Sequence, residues 1–217
     1  YGLVGSEMCI RDSNNMKTIE TINKHFKTLG GLYNISHEKS LSLHDLENEI
    51  RSIENYLGKD VPKLLRDILI KYHGYSFNNE VGFNVTTHIP ILGNSIFLEF
   101  GQFLSLYQKD LFDILENNED LFRTDFLPFA EATPGDYIAF NMQEQSVYFI
   151  SHDFSENEQS HIKIADSLKD YFLHLCERAE EKEVLEKSPK IISVRYSDEF
   201  LAIIQKWKNK NTSNKES

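Results

Sequence analysis

A chain of 217 residues suits one domain with extensions or two small ones, and 40% hydrophobic and 12% aromatic residues supply the apolar mass for one real core. Its mean hydropathy of −0.44 argues against a membrane protein, and no run approaches the roughly 18 apolar residues a spanning helix needs. Its 34 acids against 23 bases, a net charge of −11, disfavour binding to a phosphate backbone and favour a basic protein partner.

The opening residues fit nothing downstream. The segment LVGSEMCIRDS, from Leu3 to Ser13, resembles the in-frame translation of a transposon adapter used in sequencing libraries. Residues 1–15 therefore read as a cloning or assembly scar, with the natural start at Met16. Without that scar the chain keeps 22 bases and 32 acids, a charge of −10, and Cys176 as its one cysteine. A single cysteine, no signal peptide and no lipidation motif predict a reducing cytoplasm. Abundant Asn, Lys and Ile suggest an AT-rich microbial genome.

Residues 16–45 read as an N-terminal extension with a short helix around Thr18 to Leu29, broken at Gly30-Gly31. Leu46, Ile50, Ile53 and Leu57 then fall on one stripe of a helix. Gly58 suits the left-handed residue that ends it, and Pro62 the first turn of the next helix. That second helix carries Leu65, Ile68, Leu69 and Tyr72 and stops at Gly74. The period now becomes alternating: Val81, Phe83 and Val85 predict a half-buried strand, and Ile96 to Phe100 a second. Leu104, Tyr107, Leu111, Ile114 and Leu115 return to helical spacing. Tyr137 to Phe140 and Val147 to Ile150 predict two strands of a hairpin, entered at Pro134-Gly135-Asp136 and joined by the polar Asn141 to Ser146. Ser167 caps a further helix, with Asp170 three residues on and Leu168, Phe172 and Leu175 inward. Residues 46–176 thus form the expected domain. A charged helical extension covers 177–208, including an edge strand at Ile191 to Tyr196 and a helix at Asp198 to Lys208, and 209–217 is a disordered tail. Helices at both ends with hairpin strands between predict an α+β fold, an antiparallel sheet of about four to six strands packed with N-terminal and C-terminal helices.

The chain carries no G-x-G-x-x-G, G-x-x-x-x-G-K-S/T, H-E-x-x-H, C-x-x-C or G-x-S-x-G. No two of its eight histidines stand four apart, so no local helical metal site is expected, and neither a metal nor another cofactor is called for. Cys176, beside Leu175, is better explained by packing than by catalysis. The best acid–base candidates are Asp136, His152 and Asp153, at the ends of two paired strands. A plainer explanation is turn chemistry at Asp136 and a sheet edge at His152-Asp153, since turns select Asp on their own. The other candidate is the acidic series Asp110, Asp113, Glu116, Glu119 and Asp120. It is either a solvated helix face or a docking surface whose carboxylates speed association with a basic partner. These eight residues are the candidate partner-binding set, and none is assigned a catalytic role.

The landmarks have an ordered resemblance. Leu46-x3-Ile50-x2-Ile53-Glu54-x2-Leu57-Gly58-x2-Val61-Pro62 resembles the opening helix and turn of the SUKH superfamily (the SMI/KNR family). Leu65-x2-Ile68-Leu69-x2-Tyr72-His73-Gly74 is similar to that family's second helix and glycine turn. Leu127-Pro128-Phe129-Ala130 with Pro134-Gly135-Asp136-Tyr137-Ile138 resembles its strand entry. Val147 to Asp153 resembles the strand ending in a His-acid segment, and Ile164 to Phe172 the closing helix. The resemblance spans about Leu46 to Leu175. It departs where His73-Gly74-Tyr75 replaces a common double glycine and Ile150-Ser151 a frequent tryptophan. What it implies is binding rather than catalysis: bacterial members act as immunity proteins that block a cognate toxin, often a nuclease, and fungal relatives are interaction proteins in cell-wall regulation. The implied partner is a basic toxin domain; the alternative is a regulatory scaffold with no link to toxins.

Overall fold

The computed structural model describes residues 4–35, 41–86, 89, 96–107, 110–122, 125–132, 135–152 and 160–179, with side chains from residue 15 onward. Helix α1 runs Val4–Thr28, longer than the helix expected from Thr18, because no proline or glycine between Ser6 and Leu29 stops it. Gly30 and Gly31, both at positive φ, turn the chain into β1 (Leu32–Asn34).

Helix α2 (Leu43–Leu57) buries Leu46, Ile50, Ile53 and Leu57, the expected stripe. A capping box opens it: Asp45 N–H donates to the Ser42 hydroxyl and Ser42 N–H to the Asp45 carboxylate. Gly58 ends it at φ 64°, where any side chain would be strained. Glu54 accepts from the Val61 N–H at 3.0 Å and fixes the turn. Pro62 then sits at the N-cap of α3 (Lys63–Tyr72), which buries Leu65, Ile68, Leu69 and Tyr72.

All strand pairs are antiparallel. β1 pairs with β2 (Tyr75–Phe77). β3 (Val81–Asn84) lies between β4 (Phe97–Glu99) and β10 (Leu175–Glu177). The largest sheet has the order β5 (Gln102–Phe103), β6 (Phe126–Glu131), β7 (Tyr137–Asn141), β8 (Ser146–Ile150), β9 (His161–Ala165). The class is α+β, and five strands fall within the expected sheet size.

Two expected elements take another form. The helical spacing from Leu104 yields only α4 (Asp110–Asn117), followed by α5 (Glu119–Phe122). Leu104 and Leu106 are buried two apart, and the Leu104 N–H donates to the Phe129 carbonyl at 3.0 Å, so this stretch extends the β5–β6 ladder. Likewise α6 (Leu168–Leu173) stops before Leu175. Leu175 and Cys176 leave the helix because β3 offers them backbone partners, with Cys176 opposite Gly82. The strand and helix expected after Ile191, and the tail, lie outside the described residues.

One face of the large sheet presents Leu127, Ile138, Phe140, Val147, Phe149 and Ile162, all buried. Aromatic rings fill the adjoining core: Phe26 of α1 lies 5.1–6.1 Å from the rings of Tyr72, Phe77, Phe103 and Phe172. Tyr171 is fully buried, stacked on Phe83 at 5.3 Å, and its hydroxyl finds no hydrogen-bond partner among the described residues. An orphaned buried hydroxyl carries a full desolvation penalty of about 1–3 kcal/mol. Tyr171→Phe is therefore expected to raise stability, by about 1 kcal/mol, in urea titration.

His73, at the end of α3, has a buried Nδ1 with no partner among the described residues, and burial holds its imidazole below the ordinary histidine range. The unfolded chain then binds more protons than the folded one once the pH drops below about 6.5. Stability is expected to fall from there until the folded group itself titrates. Urea midpoints of wild type and His73→Gln between pH 8 and pH 5 check this, the variant losing less.

Candidate functional site

Helices α4 and α5 are held by their apolar side. Leu111, Leu115 and Phe122 are buried, and the Phe122 ring meets Tyr137 of β7 edge-on at 5.3 Å. Phe112 meets Tyr56 of α2 at 5.4 Å. His161 of β9 donates from Nε2 to the Leu121 carbonyl at 2.7 Å, since a carbonyl only accepts. Its Nδ1 bonds the Ser160 hydroxyl at 2.7 Å. Asn118 turns the chain between the helices: its side chain donates to the Ile114 carbonyl, and its own carbonyl accepts from Leu121 and Phe122.

This anchoring leaves Asp110, Asp113, Glu116, Glu119 and Asp120 exposed. Among the described residues no Lys or Arg lies within ion-pair distance of any of the five. Their field is felt nearby. The Tyr56 phenol is held above its ordinary value by desolvation first, then by the charges of Glu119 and Glu116.

Asp136 enters from the other side. It is 2% exposed, one residue before β7, and accepts two hydrogen bonds from His152, just past β8. The backbone N–H donates at 3.1 Å and Nδ1 at 3.0 Å. The carboxylate thus ties the open end of the β7–β8 hairpin beyond the Tyr137–Ile150 pair. Gly135, at φ 89°, lets the imidazole lie against its Cα; a Cβ there would meet His152 Cε1 at 2.5 Å. Asp136→Ala removes the acceptor for both donors and is expected to cost about 2 kcal/mol. Urea titration beside Asp136→Asn, which keeps one acceptor and loses less, measures it.

The His152 side chain stays 44% exposed. It lines a pocket of about 410 Å³ with Glu116, Asn117, Asn118, Glu119, Asp120 and Leu121. Five of the eight candidates are therefore brought into one neighbourhood: Glu116, Glu119, Asp120 and His152 on the pocket, and Asp136 behind the imidazole. Asp110 and Asp113 are exposed on α4 but do not line it. Asp153 lies outside the described residues. Asn117, Asn118 and Leu121 are lining residues that spacing alone did not single out, although the position of Asn117 and Asn118 between Glu116 and Glu119-Asp120 was a usable signal. Among the described residues no serine, threonine, cysteine or lysine lines the pocket. Among the described residues no group of three His, Cys, Asp or Glu side chains is placed to hold a metal ion, and no helix is long and apolar enough to cross a membrane.

The domain is α+β, with an antiparallel sheet, an acidic pocket beside His152 and an Asp136–His152 pair that ties the end of the β7–β8 hairpin. The model of the SMI1-KNR4 cell-wall family of the SUKH superfamily matches residues 47–172, more than half of the chain, and the chain belongs to that family. Its domains are protein-interaction modules of the toxin-immunity or regulatory kind. No curated protein matches the chain.

Proposed function

We propose that this protein is a non-enzymatic immunity protein that binds a basic toxin domain, a nuclease in the simplest case, and blocks it by occlusion. The observation that carries this reading is the convergence of Glu116, Glu119 and Asp120 beside His152 with no basic partner among the described residues. Carboxylates with no basic partner among the described residues raise the encounter rate with a basic surface and disfavour acidic ones. A nuclease suits this potential because its own site must be positive to hold phosphates. The bound residues are the pocket set, with Asp110 and Asp113 extending the field along α4 and Asp153 next to His152 in sequence. Such a protein acts in the cytoplasm, where its toxin would act.

Co-expression tests the reading. A toxin domain encoded beside this gene should arrest growth alone and be tolerated with this protein. Continued arrest in the presence of well-folded protein contradicts the proposal.

The matched family's description as a cell-wall group favours a second reading, a regulatory scaffold with a partner unrelated to toxins. Affinity capture from the native cell separates the two, since a scaffold would retain a host regulatory protein and no toxin.

A further inference from the structure

Helices α1, α2 and α3 form a second surface that shares no residue with the acidic pocket. α3 packs against both others, and the three enclose a groove of about 650 Å³. Ile19 and Ile70 are its partly buried floor. Met16 and Leu43, 67% and 61% exposed, stand on it, two of the five exposed large apolar side chains among the described residues. An apolar surface of this kind marks an interaction site.

Its charges distinguish it from the rest of the molecule. Among the described residues the lining holds Glu20, Glu47 and Asp67 against Lys63, Arg66 and Lys71, a neutral set in a chain of charge −11. Within the lining Arg66 reaches Glu47 at 3.9 Å, and it reaches Glu54, outside the lining, at 4.0 Å. A two-fold contact places one patch against itself, so the patch must complement its own charge. A single-sign surface such as α4–α5 fails that condition and this groove meets it. A basic partner is drawn to the acidic pocket, whereas here it finds as many cations as anions.

We propose that this groove is a self-association site, in which a second copy of the chain packs its own Met16, Leu43, Ile19 and Ile70 across a two-fold axis. α2 is about 22 Å long at 1.5 Å per residue. Three helices at about 8–10 Å spacing add roughly 20 Å of width. Each copy then covers about 450 Å², below the roughly 800 Å² per partner of a stable complex, so the dimer is expected to be weak and concentration-dependent.

Sedimentation of the full chain over a concentration series tests this. The mass should climb from 25.3 kDa towards twice that value. Leu43→Asp, at an exposed first-turn position where an acid suits the helix N-terminus, should stay folded by circular dichroism. It should weaken association more than about tenfold, because a two-fold contact holds each substitution twice. Asp120→Asn, on the other surface, should dimerise at least as well as wild type. A monomer at every concentration overturns the proposal, as does a dimer that Leu43→Asp leaves intact. A monomer in which Leu43→Asp instead weakens the hold on a different protein also overturns it, and assigns the groove to that protein.

Discussion

Cut back to residues 47–172, the stretch shared with its family, the chain is expected to lose cooperative folding. The cut removes α1 and β1 at one end and β10 at the other. With them go Ile22, Phe26, Leu29 and Leu175, all 7% exposed or less. It also removes the bond from His25 Nε2 to the Leu175 carbonyl, 2.9 Å long across 150 residues, which ties the two ends together. Losing a buried phenylalanine costs about 3–5 kcal/mol and each buried aliphatic about 2–5. Together these match or exceed the roughly 5–15 kcal/mol that holds a domain folded. Phe26 weighs most, because four other rings lose their neighbour with it. A chain of residues 16–178 keeps all of these groups and should unfold cooperatively in urea. The 47–172 chain should show a broad, non-cooperative change. A sharp transition in the shorter chain would mean that the terminal elements only decorate a self-sufficient core.

Reversing charge at the pocket is expected to have the largest effect on binding. Glu116→Lys, Glu119→Lys and Asp120→Lys together change the net charge from −11 to −5, with all six units at one place. All three side chains are exposed, so folding should survive. Affinity for a basic toxin domain should drop about 100-fold, mostly through a slower association rate. Surface plasmon resonance at low and moderate salt reads both rates. The wild-type association rate should fall with added salt, and the triple variant should be slow and nearly salt-independent. Equal rates for the two proteins would place the binding surface elsewhere.

How much of this was legible in the sequence varies with the length of the signal. The α2–α3 unit could be read residue by residue, because four apolar positions in each helix, Gly58 and Pro62 all point to the same geometry. The β7–β8 hairpin was equally plain from its alternation. Strands whose formation depends on their partners were hidden. β6 carries Pro128 in mid-run, which argues against a strand; it fits because the β6–β7 register shifts between Pro128 and Ala130. β10 has three residues and follows a helix directly, so only the open side of β3 makes it a strand. α1's contribution to the core was also illegible, since Ile22 and Phe26 acquire meaning only against rings from α3, β2, β5 and α6. In the site, the acidic residues and the Asp136–His152 pair were each visible. That Glu116, Glu119 and Asp120 share a pocket with His152 depends on how Phe122 and Leu121 dock on the sheet, a long-range matter.

The most direct measurement is a titration of toxin activity with this protein. A molecule that acts by occupying a surface should abolish activity linearly, reaching zero at one equivalent, and high salt should restore the toxin unchanged. Inactivation by a small fraction of an equivalent, with toxin that stays dead or altered in mass after separation, would show that covalent chemistry is being done and would contradict the binding mechanism.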